Sequence, residues 1–113
     1  MPAALVLFVS KDTFDHNGEP CRTHSYDTGA AWENFALQGG LKGYVVHGMQ
    51  GFDYARAKSE LGIPDGYTVE AIAAVGKPGK TEDLPKPLQE REAPSDRRKL
   101  AETIFEGKFP AGK

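Results

Sequence analysis

Apolar residues recur with one period in some stretches of this chain, with another period elsewhere, and lose periodicity in between. Ala3–Ser10 is a continuous β-prone run. Apolar residues at successive positions predict an interior strand covered on both faces. Lys11–Tyr26 is polar, with turn signals at Asn17-Gly18 and Glu19-Pro20, and reads as a surface excursion. From Asp27 the period becomes helical. Trp32, Phe35, Ala36 and Gly39 fall at i, i+3, i+4 and i+7 and form one apolar stripe. Asp27 or Thr28 can cap this helix, and Glu33 lies early enough to favour its N-terminus. Gly43 ends the helical region, and Tyr44–His47 reads as a short strand. Gly48-Met49-Gln50-Gly51 is a glycine-flanked loop. Asp53 then caps a helix through Leu61, with Tyr54, Ala57 and Leu61 on its buried side. Gly62 and Pro64 stop it, and Asp65-Gly66 turns the chain into a strand over Tyr67–Val75. The order β-α-β-α-β predicts an α/β or α+β domain with helices packed on a sheet.

After Gly76 the pattern dissolves. Pro78, Pro85, Pro87 and Pro94 punctuate a charged segment, which favours an extended arm over a floppy coil. Leu100, Ile104, Phe105 and Phe109 restore apolar content near the end. Residues 1–76 therefore read as the core of the domain and residues 77–113 as its C-terminal arm. Such an arm can fold back over its own domain or embrace a second subunit. Gly29, Ala30, Ala31, Gly39 and Gly40 let another backbone approach the first helix. Each helical glycine costs about 1 kcal/mol relative to alanine, which close packing against a partner helix would offset. A second subunit is a natural candidate for that partner.

Composition narrows the function classes. The length, 113 residues, fits one modest domain with a single core. Acidic and basic residues nearly cancel, at 16 against 14, so no patch of one sign marks a nucleic-acid or anionic-membrane surface. The apolar run at the start is too short to cross a bilayer and lacks a basic flank and a small-residue cleavage site. Cys21 is the only cysteine, which rules out an intramolecular disulfide and points to a reducing cytoplasm. Beside Pro20 and without an evident base, it reads as a plain loop thiol.

Candidate chemistry is sparse. Gly48 and Gly51 remove Cβ atoms, so a flat ligand can approach the main chain, with Met49 and Gln50 offering an apolar surface and an amide. Main-chain N–H groups at a helix start suit an anion or an electron-rich ring. The competing reading is a tight strand-to-helix turn that merely needs glycine. Arg97-Arg98-Lys99 is a basic cluster whose guanidinium forks suit phosphate oxygens, although such clusters are also common in solvated tails. His47 ends a strand beside the loop and reads either as a ligand donor or as a structural residue. His16 and His24 have no metal-site spacing. No carboxylate pair, Ser-His-Asp set or phosphate-loop pattern is evident, so no catalytic side chain is assigned.

Four linked segments resemble the FMN-dependent nitroreductase family: THSYDTGAAWENFALQ, HGMQGFD, ELGIPDGYTVEAIAAVGKPG and RRKLAETIFEGKF. They stand in the family's order and spacing and cover about Ala3 to Phe109. The resemblance is to the family's C-terminal half, with the N-terminal half absent. It implies a nitroreductase-like α+β fold (an α/β/α sandwich), truncated and carrying an extended C-terminal arm. It implies a homodimer through helix 27–41 and that arm, with FMN at the interface and NAD(P)H as electron donor. Gly48, Met49, Gln50 and Gly51 match the segment against the isoalloxazine ring, with the N–H near Gln50 or Gly51 donating to flavin N5. Arg97 and Arg98 match a basic pair that reaches the FMN phosphate. The implied activity is reduction of nitroaromatics, quinones or similar small molecules by hydride transfer through the flavin. The alternative is a flavin-free truncated remnant acting as a small dimeric binding or structural module.

Overall fold

The computed structural model describes residues 2–112. Its contacts divide the chain into two units, one running through Pro78 and the other starting at Gly79. The first unit contains strand β1 (Ala4–Lys11), helix α1 (His24–Leu41), strand β2 (Val45–Met49), helix α2 (Tyr54–Glu60) and strand β3 (Tyr67–Gly76). β3 runs antiparallel between β1 and β2. β1 and β2 are therefore parallel to each other and joined by α1, with β3 inserted between them, a split β-α-β arrangement.

Among the described residues β1 pairs only with β3, so it is an edge strand and not the interior strand that its apolar run predicts. The two apolar faces of β1 have different surroundings. Phe8 faces α1, where its ring meets Trp32 and Phe35 edge-on at 5.6 Å between centroids. Leu5, on the opposite face, is 61% exposed. Apolar residues at successive positions report two apolar faces, but they carry no information about how many strands flank them.

The predicted stripe of α1 is the face that rests on the sheet. At Gly39 an added Cβ would lie 2.4 Å from Val46 Cγ2. That glycine therefore serves the helix's own sheet and not the approach of a partner helix. Beneath α1, Ala73 is fully buried between its register neighbours Val6 and Gly48. The outer side of α1 carries Tyr26, Leu37 and Leu41, the last 84% exposed. The helix starts at His24, three residues before the expected Asp27. Thr28 lies inside it, donating its hydroxyl to the His24 carbonyl at 2.8 Å.

Asp53 caps α2 as predicted, its Oδ1 accepting from the Arg56 N–H at 2.9 Å. Tyr54 and Leu61 are exposed, not buried. The helix ends at Glu60, so Leu61 is only its C-cap, beyond the turn that rests on β3. Gly62 and Gly66, at φ of 64° and 81°, adopt the left-handed conformation that the predicted turns require.

The second unit is mostly irregular. It contains 3₁₀ turns at Thr81–Asp83 and Leu100–Glu102 and the short helix α3 (Lys86–Gln89). Gln89 Nε2 donates to the Leu84 carbonyl at 2.7 Å, and the Phe105 and Phe109 rings meet at 5.5 Å.

The close approach at Gly39 gives a direct stability prediction. Gly39→Ala should destabilise the protein by about 1–3 kcal/mol, because the stiff Val46 side chain must shift. Gly40→Ala, with open space at its Cβ position, should be neutral or stabilising by up to about 1 kcal/mol. Urea unfolding of both variants measures the contrast, and equal midpoints would disprove the packing argument.

Candidate functional site

The site is built where β2 ends. Gly48 and Met49 belong to β2, opposite Ala73 and Ile72, so the strand continues past His47 and the loop is shorter than predicted. Glycine is a poor strand former in isolation. Here Gly48 stays in the strand because the Trp32 indole fills the space a side chain would need. A Cβ on Gly48 would lie 3.0 Å from two indole carbons. Val46 and Gly48 both face α1, so the alternation of the strand turns His47 to the opposite face. His47 is exposed there, and its side chain makes no hydrogen bond to a described residue.

Residues 50–53 connect β2 to α2. The Phe52 N–H donates to the Gln50 carbonyl at 3.0 Å, and the Phe52 and Tyr54 rings stack at 4.1 Å. The N–H groups of Gln50 and Gly51 donate to no described protein acceptor, and both residues are exposed. Nothing lies within 4 Å of the Cβ position of Gly51. Beside this segment opens a cleft of about 400 Å³ lined by Trp32, Gly48, Met49, Gln50, Ala71 and Ile72. Its walls are one indole, aliphatic side chains and strand backbone. Two uncommitted amide donors, one on Gln50 in the cleft wall and one on Gly51 next to it in sequence, suit a flat ring with electron-rich atoms on its edge. No titratable side chain lines the cleft, so the protein supplies no general acid or base there.

Arg97 and Arg98 lie in the second unit, in the irregular segment between α3 and Leu100, and both are exposed. Arg97 Nη1 donates to Ser95 Oγ at 2.9 Å. Arg98 makes no hydrogen bond or ion pair with a described residue. Among the described residues, no group of three or more His, Cys, Asp or Glu side chains could hold a metal ion.

A polar network escapes the sequence reading altogether. Between the pairs Phe8–Ala71 and Val9–Val69 the register skips Glu70, a β-bulge that frees its side chain from the ladder. Glu70 Oε1 accepts from Ser10 Oγ at 2.7 Å and from Ser25 Oγ at 2.6 Å. With its only proton so committed, the Ser10 hydroxyl accepts from His24 Nδ1 at 2.8 Å, which requires a proton on that nitrogen. Asp12 Oδ1 lies 3.8 Å from the same nitrogen and accepts from Thr68 Oγ1 at 2.8 Å. Serine, histidine and carboxylates therefore do meet here, where the sequence showed no such set. A nucleophilic relay needs the serine and the orienting carboxylate on opposite ring nitrogens. Here Ser10 and Glu70 share Nδ1, and Ser10 is only 3% exposed. The network is a clamp that fastens the first turn of α1 to β1 and β3. The excursion is thus only partly superficial, and Cys21 within it is buried, its sulfur 3.8 Å from the Thr23 hydroxyl. No local spacing signals this cluster, because the bulge joins residues up to sixty positions apart.

Burial pushes the Glu70 carboxyl up, as does the neighbouring Asp12 charge. The hydrogen bonds from Ser25 and Ser10, with the charge of His24, outweigh both and hold it below its ordinary 4.5.

No protein-family model matches the chain. Over 111 residues it is 32% identical to an uncharacterized 15.4 kDa protein of the ask 5′ region of Mycolicibacterium smegmatis, covering 95% of this chain and 71% of that protein. It is similar to the crystal structure of an oxidoreductase containing FMN, at a TM-score of 0.87 and 46% identity over 94% of this chain and 55% of the other. It is also similar to a nitroreductase family protein from Clostridium novyi NT, at a TM-score of 0.58 and 25% identity over 68% of this chain and 44% of the other. The chain thus spans about half the length of these two structures. Its fold is nitroreductase-like α+β, as its sequence segments implied.

Because Glu70 titrates below its ordinary value in the folded protein, its ionised form contributes stability that is fully present above pH 4.5 and is lost as the pH falls through its folded value. Glu70→Gln should therefore be less stable than wild type near neutrality. The gap should narrow steadily as the pH drops below about 4.5. Thermal unfolding across pH measures this, and a gap independent of pH would contradict the clamp.

Proposed function

Because the chain belongs to one family with the 15.4 kDa protein of M. smegmatis and has a nitroreductase-like fold, we propose that it holds the flavin ring of an FMN-dependent NAD(P)H oxidoreductase. Its acceptors are nitroaromatics, quinones or similar electron-poor small molecules. The observation that carries this reading is the pair of unclaimed amide N–H groups at Gln50 and Gly51 beside an apolar cleft. The 46% identity to an oxidoreductase containing FMN supports a flavin over other flat ligands.

The residues present fit that cofactor. When bound, FMN supplies hydride acceptance from NAD(P)H and donation to the acceptor at N5. The N–H of Gln50 or Gly51 would donate a hydrogen bond to N5 of the bound ring and so favour negative charge there. A main-chain donor does this without titrating in the working pH range. Trp32, which lines the cleft, would cover one side of the ring and limit water there. Arg98, without a described partner, and Arg97 are the residues that would hold the phosphate through charge-assisted hydrogen bonds. Two copies associate through helix 27–41, whose outer residues Leu37 and Leu41 need cover, and through the C-terminal arm. The protein works in the cytoplasm. A flavin-free dimeric module is the second reading.

Flavin titration separates the two. Micromolar protein should quench FMN fluorescence, and the double variant Arg97→Ala, Arg98→Ala should weaken binding several-fold through lost phosphate contacts. No quenching by wild type would favour the flavin-free module, and unchanged affinity in the variant would remove the arginines from the site. The association surface is tested separately. Wild type should sediment as a dimer and Leu37→Glu with Leu41→Glu as a monomer. A wild-type monomer would refute that part of the proposal.

A further inference from the structure

Trp32 is the only tryptophan of the chain, and its indole is the largest aromatic surface lining the cleft. Three contacts fix it. Its six-membered ring sits 3.0 Å from the Cβ position of Gly48, so the strand backbone touches the ring directly. Phe8 meets it edge-on from β1, with ring planes at 84°, and Phe35 supports Phe8 in the same way. On β3 the positions paired with Phe8 and Val6 are Ala71 and Ala73, small residues that leave room for the indole. Trp32 is nevertheless only partly buried, and the cleft opens beside it. A partly open indole wedged between rigid neighbours presents a prepared aromatic wall with little rotamer freedom left to lose on binding.

We propose that Trp32 is the ring-contacting wall of this cleft and selects electron-poor planar groups, an inference that rests on the flavin reading above. An indole is electron-rich, so oxidised flavin, nitroaromatic and quinone rings gain from contact with it, whereas aliphatic groups of equal area gain only burial. Gly48 then has a role distinct from ligand approach, since its missing side chain is what admits the indole. The selectivity resides in a helix residue outside the glycine loop.

Because Trp32 is the sole tryptophan, its emission reports on the cleft alone. Riboflavin, which lacks the phosphate, should quench Trp32 emission with the same midpoint as the quenching of its own fluorescence. Trp32→Leu should weaken riboflavin and FMN equally, by roughly 3- to 10-fold. Trp32→Phe should recover most of that loss. Circular dichroism checks that both variants keep the wild-type fold. If riboflavin binds by its own fluorescence while Trp32 emission stays constant, or if Trp32→Leu binds as tightly as wild type, the wall proposal is overturned and the flavin reading survives. If no flavin binds to wild type, the flavin reading fails and this proposal falls with it.

Discussion

The first unit depends on how closely α1 can lie on β2, and two positions without side chains set that distance. Gly39 on the helix admits Val46, and Gly48 on the strand admits Trp32. A Cβ at either place would force its neighbour away. The two contacts lie on successive inward positions of one strand, so they fix the height and the axial position of the helix together. The cleft follows from this. Trp32 stands at the end of β2 because Gly48 yields to it, and the strand then breaks away at Gln50 with its amides unclaimed.

The N-terminal end of α1 is held by different means. There the helix has no side-chain cap, and its start is pinned by polar groups. The bulge at Glu70 brings a carboxylate to Ser10 and Ser25, and His24 completes the junction through Ser10. Apolar packing at one end and a hydrogen-bonded clamp at the other leave little freedom for the helix to rock. A site that uses main-chain donors needs such rigidity, because those donors cannot adjust by rotamer changes.

What could be read from the sequence was local. The stripe of α1, the Asp53 cap, the stop at Gly62, the turn at Gly66 and the apolar β3 each depend on residues within a turn or two. Their positions follow the periodicity closely. What could not be read depends on pairing between distant segments. The edge position of β1 reflects the number of neighbouring strands, and the bulge at Glu70 exists only relative to β1. Gly48 looked like a loop residue because its strand partner Ala73 and its ceiling Trp32 are remote in sequence. Of the candidate site, Gln50 and Gly51 were legible because glycine and a helix cap mark the end of a strand. The contribution of Trp32 was hidden, since an aromatic residue on an apolar helical stripe reads as core.

The functional account rests on amide protons that the fold leaves without acceptors at the mouth of an aromatic-walled cleft. Two-dimensional amide NMR observes them directly during addition of riboflavin. The account predicts that the Gln50 and Gly51 resonances, with those of Gly48 and Met49, show the largest shifts and that the Gln50 or Gly51 amide becomes protected from exchange. Riboflavin binding that leaves both amides unshifted and unprotected would contradict it.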